Sequence, residues 1–131
     1  MTDVPSELRE IVIVRAKDRC EYCQLSQLGQ EATFHIDHVQ PRNLGGLTIL
    51  GNLALACVSC SLRKWARVSA PDPETGEIVS LFNPRTQDWS EHFSWSDGLL
   101  IPLTASGRAA VRPIILSIRA EEMARGRHPP D

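Results

Sequence analysis

The chain lacks several features that would assign a protein to a class at once. No apolar run approaches the ~18 residues that a membrane span needs. The N-terminal MTDVPSELRE has neither an apolar signal core nor the arginine-rich character of a transit peptide. The formal net charge is only −2, so the total charge does not indicate a nucleic-acid partner. We therefore expect a cytoplasmic protein without a membrane partner, and its 131 residues fit one domain.

One segment of the chain also lacks acidic residues. Residues 38–71 contain no aspartate and no glutamate. The basic residues of this segment are Arg42, Arg63, Lys64 and Arg67. A basic segment inside a slightly acidic protein is a candidate anion-binding surface. A solvated helix face is the alternative interpretation of the same residues.

Local patterns predict a domain of mixed helices and strands. The predicted elements are a helix over 6–18 with Ser6 as its N-cap, strands over 32–39 and 52–57, a helix over 58–68, a strand over 78–82, a hairpin around Asp97 and Gly98, and a helix over 104–125 that is interrupted or restarts at Pro113. The run IVIV leaves a strand as the alternative for the first helix. The turn-rich segment 71–77 is the best internal boundary. Trp89, Phe93 and Trp95 are predicted to belong to the core.

The cysteines form two CxxC pairs with none left over. The pairs are Cys20 with Cys23 and Cys57 with Cys60. Four thiolates complete a tetrahedral zinc shell with no open position, and such a site is structural. Reduced buried thiols and disulfides are the alternatives, and a reducing compartment disfavours disulfides. The two pairs would clamp the base of the segment between them, 24–56.

That segment contains FHIDHVQPR, which brings two histidines and an aspartate close together. The residues are His35, Asp37 and His38. These side chains can lie exposed to solvent, make hydrogen bonds within a sheet, or form part of a metal site. Adjacent side chains of a regular strand point to opposite faces, so Asp37 and His38 converge only where the strand bends.

Taken together, CEYC … HIDHVQPRNLGG … GNLALACVSCSLRK resembles the HNH endonucleases over residues 15–67. The stretches LFNPRTQDWSEHFSW and LTASGRAAV resemble the C-terminal extension of many small bacterial HNH proteins. We therefore interpret 1–131 as one HNH nuclease domain with an extension over 78–125. The resemblance implies an α+β fold, a ββα-metal finger around one catalytic divalent ion. Here that finger would have a four-cysteine zinc clamp, an N-terminal helix and a C-terminal hairpin-plus-helix extension.

The resemblance also implies roles for individual residues. His38 would be the general base, because a neutral imidazole can take a proton from the attacking water. Asp37 would bind the catalytic ion, magnesium or a similar cation, and Asn52 would steady the loop near the base. The family has a second metal ligand, an asparagine or histidine, where this chain has Ser61. Either Ser61 binds the ion weakly or His35 contributes, unless His35 only hydrogen-bonds nearby.

The implied function is hydrolysis of DNA phosphodiester bonds, which leaves 5′-phosphate and 3′-hydroxyl ends, and RNA is a further candidate substrate. The residues expected to contact phosphate are the basic ones of 38–71, namely Arg42, Arg63, Lys64 and Arg67. The rival interpretation is a catalytically degenerate, zinc-containing module that binds nucleic acid or protein. Such a module would have lost catalysis because Ser61 replaces the usual asparagine or histidine ligand.

Overall fold

Helices alternate with short strand pairs along the part of the chain that the computed structural model describes, residues 4–64, 66–96 and 99–111. In chain order the elements are α1 (Ser6–Arg15), β1 (His35–His38), β2 (Leu53–Ala56), α2 (Val58–Lys64), β3 (Ser69–Pro71), β4 (Ile78–Ser80), α3 (Trp89–His92), β5 (Phe93–Ser96), β6 (Leu99–Pro102) and α4 (Ala105–Ala110). Short 3-10 turns at Arg42–Leu44 and Leu50–Asn52 lie between β1 and β2. The α+β class is confirmed. Within these residues, none of the helices combines the length and apolarity that crossing a membrane requires.

The centre of the fold is an antiparallel pair of strands, β1 and β2, with helices α1 and α2 packed on it. The register places His35 opposite Ala56 and His38 opposite Leu53. β2 is buried along its whole length, which explains its uninterrupted apolar sequence LALA. Two strands followed by a helix form the ββα arrangement that the resemblance implied.

Helix α1 confirms the predicted helix, but it ends at Arg15 rather than at residue 18, and its N-cap differs from the prediction. Ser6 is the first helical residue rather than the cap, and no side chain caps this end. The preceding Pro5 accepts a helical hydrogen bond from Arg9 N at 3.0 Å. A proline costs little here because the first helical N–H groups have no intrahelical partner. Val12 is fully buried while Val14 is exposed, so the β-branched run divides between two helix faces.

The strands predicted over 32–39 and 52–57 are shorter in the structure, where they cover 35–38 and 53–56, and two later elements are shorter as well. Helix α2 ends at Lys64, and the described residues 66–68 are not helical because the chain turns toward β3. The strand predicted over 78–82 ends at Ser80, after which Leu81 and Phe82 enter the hydrophobic core. Pairing with the three-residue β3 limits β4 to the same length.

The extension contains the predicted hairpin of β5 and β6, although its turn residues 97–98 lie outside the described residues. The helix predicted over 104–125 is present as α4, which Thr104 caps by accepting a hydrogen bond from Gly107 N. Its continuation and the restart predicted at Pro113 lie outside the described residues.

The turn-rich segment 71–77 connects two strands that pair with each other, β3 and β4. Asp72, only 1% exposed, accepts hydrogen bonds from Arg108 of α4 at 2.9 and 2.8 Å. The segment is therefore attached to the extension by an ion pair. The buried residues of the ββα unit and of the extension, including Leu53, Leu55, Phe82 and Phe93, belong to one cluster.

Candidate metal centre and active site

The four cysteines meet in one buried cluster, as their spacing predicted. Their sulfur atoms all lie within 4.8 Å of one another, and Cys23 Sγ is 3.9 Å from Cys57 Sγ. The first pair sits in a tight turn in which Gln24 N donates to the Cys20 carbonyl at 2.8 Å. In the second pair, Cys60 N donates to Cys57 Sγ at 3.4 Å. The two turns thus present four sulfur atoms to one point.

The chemistry of this donor set fits a metal ion. A tetrahedral zinc with Zn–S bonds of about 2.3 Å would place its sulfurs roughly 3.8 Å apart, close to the separation observed. All four cysteines are free, so the disulfide alternative is wrong for this structure. Burial raises the pKa of the Cys23 and Cys60 thiols, whereas hydrogen bonds from neighbouring thiols hold the pKa of Cys20 well below its usual range. A bound divalent cation would offset the negative charge of such a thiolate cluster.

Asp37 lies on β1 and is held by two groups from other elements. The Tyr22 hydroxyl donates to Asp37 Oδ2 at 2.5 Å, and Lys64 Nζ lies 3.2 Å from the same oxygen. The Asp37 side chain is only 9% exposed. Burial raises the pKa of Asp37, while the Lys64 ammonium and the Tyr22 hydroxyl oppose that rise. The carboxylate is therefore fixed in orientation at the wall of a cleft.

His38, the next residue, opens on the same cleft. Its Nε2 makes a hydrogen bond of 2.8 Å with the Thr48 hydroxyl. Burial lowers the pKa of His38, and the nearby Arg42 guanidinium lowers it further against the opposing charge of Asp37. The lowered pKa favours the neutral imidazole, the form in which it can accept a proton. Asp37 and His38 do converge, at the end of β1 where the chain leaves the strand.

Asn52 fastens the loop that follows His38. Its side-chain Oδ1 accepts from Gln40 N at 2.8 Å, and its Nδ2 donates to the carbonyls of Gln40 and Leu47 at 3.0 and 2.9 Å. A Cβ at Gly46 would lie 1.8 Å from the Gln40 carbonyl oxygen and 2.9 Å from Asn52 Nδ2. The second glycine of the GG motif is therefore required for this close approach, which holds the loop against the asparagine.

The two residues considered as second ligands contact each other. His35 Nδ1 and Ser61 Oγ form a hydrogen bond of 3.0 Å between the start of β1 and helix α2. Both line the cleft with Asp37 and His38. In the described part of the chain, however, only the four cysteines form a group of three or more histidine, cysteine or carboxylate ligands that could hold one ion. The cleft therefore does not have a complete ligand shell in this geometry.

The basic residues do not share one surface. Arg42 is exposed at the cleft, and Arg63 is exposed on α2. Arg67 is exposed beside a different depression, which Asn83 also lines. Lys64 departs from its predicted position, because its side chain is 2% exposed and donates to the Val39 carbonyl at 3.1 Å in addition to its contact with Asp37. It is thus not a phosphate contact.

Three residues around the cleft carried no signal in the sequence: Tyr22 and Thr48, which hydrogen-bond Asp37 and His38, and Arg9, which lines the cleft itself. Tyr22 lies between the two cysteines of a CxxC pair, where the motif specifies no residue type. Thr48 lies in a loop whose path depends on the Asn52 contacts. Arg9 of α1 also lines the cleft and donates to the Phe34 carbonyl at 3.0 Å. Their only common feature is proximity in space, which local periodicity does not encode.

Comparison with known proteins agrees with this geometry. A family model described as HNH endonuclease matches residues 20–67, which include both cysteine pairs, β1, β2 and α2. No curated protein and no solved structure matches the chain. Over residues 20–67, this chain is therefore similar to the HNH endonuclease family.

Proposed function

We propose that this protein is a metal-dependent nuclease that hydrolyses DNA phosphodiester bonds, with His38 as general base and Asp37 as ligand of a catalytic divalent ion. The observation that carries the proposal is the convergence of a neutral imidazole and an oriented carboxylate on one cleft of an HNH segment. We further propose that the four cysteines bind a structural zinc and that magnesium or a similar cation binds at the cleft.

The contacts of His38 indicate which ring nitrogen acts as the base. If Nε2–H donates to the Thr48 hydroxyl, the lone pair of Nδ1 is left to accept a proton from water. No hydrogen bond among the described residues involves Nδ1. Thr48 thus acts on the ring orientation, and the exposed Arg42 lies where it can meet a phosphate oxygen while keeping the imidazole neutral.

In this proposal the catalytic ion would be held by Asp37 together with His35 or Ser61, which hydrogen-bond each other. Oxygen donors suit magnesium, and an imidazole or hydroxyl near the carboxylate is compatible with it. When bound, such an ion supplies charge neutralisation at the attacked phosphate and at the departing 3′ oxygen. The chain's own residues would orient the phosphate through Arg42, which lines the cleft, and would remove the proton from water through His38.

A cleavage assay on supercoiled plasmid tests the proposal. The zinc-loaded protein should nick or cut DNA only when magnesium or manganese is added, and His38→Ala should lower the rate at least ~100-fold, the lower range for a general base. His92→Gln is the matched control, because His92 hydrogen-bonds Thr104 in the extension, away from the cleft. Equal rates for His38→Ala and wild type would contradict the assignment, and an RNA substrate cut in place of DNA would correct the substrate.

The rival function, a degenerate module that only binds nucleic acid or protein, is favoured by the incomplete ligand shell around Asp37. Ser61→Asn distinguishes the two, because it restores the amide oxygen that the family uses as a ligand. If wild type is inert with both cations and Ser61→Asn cleaves, the natural protein is the binding module. If wild type cleaves and the variant lowers its metal requirement, Ser61 is simply a weak ligand.

A further inference from the structure

The first cysteine pair encloses a residue that touches the candidate active site. Tyr22 lies between Cys20 and Cys23 in sequence, and its side chain is only 1% exposed. Its hydroxyl nevertheless reaches Asp37 on β1, donating to Oδ2 at 2.5 Å. One side chain therefore links the cysteine cluster to the proposed catalytic carboxylate.

The contacts of Asp37 all fall on one of its two oxygens. The Tyr22 hydroxyl and the Lys64 ammonium both lie at Oδ2, and no hydrogen bond among the described residues involves Oδ1. Asp37 lines the cleft, and with Oδ2 occupied by Tyr22 and Lys64 we infer that Oδ1 is the oxygen available to a cation. A carboxylate held through one oxygen has a fixed plane, and such outer partners tune the affinity of a ligand for its metal.

The C-terminal extension in turn fixes the backbone of this cysteine pair. The indole N–H of Trp89 donates to the Tyr22 carbonyl at 2.9 Å, and that of Trp95 donates to the Cys23 carbonyl at 3.1 Å. Arg85 forms an ion pair with Glu21. The extension thus binds three consecutive residues, 21–23, and sets the position from which the Tyr22 hydroxyl reaches β1.

We propose that Tyr22 is a positioning residue for the catalytic cation. It holds Asp37 through Oδ2 so that Oδ1 faces the ion, and the extension holds Tyr22 through Trp89. This inference rests on the proposed function, since it identifies what orients the ion's principal ligand. It also gives the extension and the cysteine cluster a part in binding the ion, beyond keeping the chain folded.

The test is Mn²⁺ binding to the zinc-loaded full chain, measured by titration calorimetry and by the loss of the free-Mn²⁺ electron paramagnetic resonance signal. Asp37→Ala defines which binding belongs to the cleft. Tyr22→Phe, which removes one oxygen atom, should weaken that binding by about 10- to 100-fold while leaving zinc content unchanged. In cleavage assays the same variant should need correspondingly more Mn²⁺ and recover most of its rate at saturation.

Thr75→Val is the matched control. Thr75 also donates a hydroxyl hydrogen bond to a buried aspartate, Asp72, at 3.2 Å, but in the hairpin of β3 and β4. It should leave Mn²⁺ affinity unchanged. Trp89→Phe removes the N–H that donates to the Tyr22 carbonyl and should also weaken Mn²⁺ binding, as Tyr22→Phe does. If Tyr22→Phe loses its zinc, Trp89→Phe is the variant that tests the inference.

Unchanged or tighter Mn²⁺ binding by a zinc-containing Tyr22→Phe variant would overturn the inference. So would wild-type protein that shows no Asp37-dependent Mn²⁺ binding at all. Wild type that binds Mn²⁺ through Asp37, is weakened by Tyr22→Phe and yet cuts no nucleic acid would support the positioning role while rejecting the nuclease proposal. The two failures are therefore distinguishable.

Discussion

Replacing Lys64 with methionine should destabilise the protein by about 4 kcal/mol, although lysines on helix surfaces are usually replaced at little cost. The reason is its position. Lys64 is 2% exposed, Asp37 is 9% exposed, and the two charged groups lie 3.2 Å apart. Methionine keeps most of the apolar stem of lysine and removes the ammonium, so the variant isolates the loss of the charge.

The size of the effect follows from what Asp37 and the nearby backbone would lose. Removing one partner of a buried ion pair costs about 3–5 kcal/mol. Two features bring the cost toward the lower end: the Tyr22 hydroxyl still donates to Asp37, and burial raises the pKa of Asp37, so its carboxyl can take up a proton. The Val39 carbonyl also loses its donor, which adds roughly 1 kcal/mol.

The assay is urea unfolding at pH 7 with zinc present, for wild type, Lys64→Met, Asp37→Asn and the double variant. The double variant should be more stable than the sum of the two single losses predicts, because it leaves no unpaired charge. Arg63→Met is the control, since its exposed side chain should change the free energy of unfolding by no more than about 0.5 kcal/mol. A Lys64→Met variant as stable as Arg63→Met would refute the reasoning.

Three other predictions follow from the same contacts. Replacing Cys57 with serine should release the bound metal and unfold the N-terminal half, as metal analysis and circular dichroism can show; stoichiometric zinc in the variant would contradict the clamp. DNA affinity should fall with salt, and Arg63→Gln should lower the slope of log affinity against log salt by about 0.9; an unchanged slope would exclude Arg63 as a phosphate contact. Hydrogen bonds from Arg108 hold the pKa of Asp72 well below its usual range, so the stability advantage of wild type over Asp72→Asn should be complete above about pH 4 and decline as the pH falls further. An advantage that grows on acidification would contradict that pairing.

The parts of the fold that sequence could predict are those whose signal is local. The CxxC spacing specifies a turn that presents two sulfurs, and the four sulfurs meet as expected. The hairpin of β1 and β2 follows from two apolar segments joined by a loop with Pro41, Gly45 and Gly46. Asn52 was expected to steady that loop, and the structure gives it three hydrogen bonds to the loop backbone.

The parts that sequence could not predict depend on contacts between distant residues. From the sequence, Lys64 is predicted to be an exposed cation on a helix surface. The prediction fails because its partner Asp37 lies on another element and neither position is apolar. The role of Tyr22 requires knowing that the first cysteine pair lies beside β1. In the extension, Trp89 and Trp95 were predicted only as core, whereas their indole N–H groups also bind the first cysteine pair.

The most direct test of the central claim is the origin of the oxygen at the cut ends. Plasmid DNA is cleaved by the zinc-loaded protein with Mn²⁺ in ¹⁸O-labelled water, and the termini are analysed by mass spectrometry. If His38 activates water at a phosphate held in the cleft, the products are 3′-hydroxyl ends and 5′-phosphates that carry one ¹⁸O, and Asp37→Ala yields none. Unlabelled phosphates, 3′-phosphate ends, or the same products from Asp37→Ala would contradict the account.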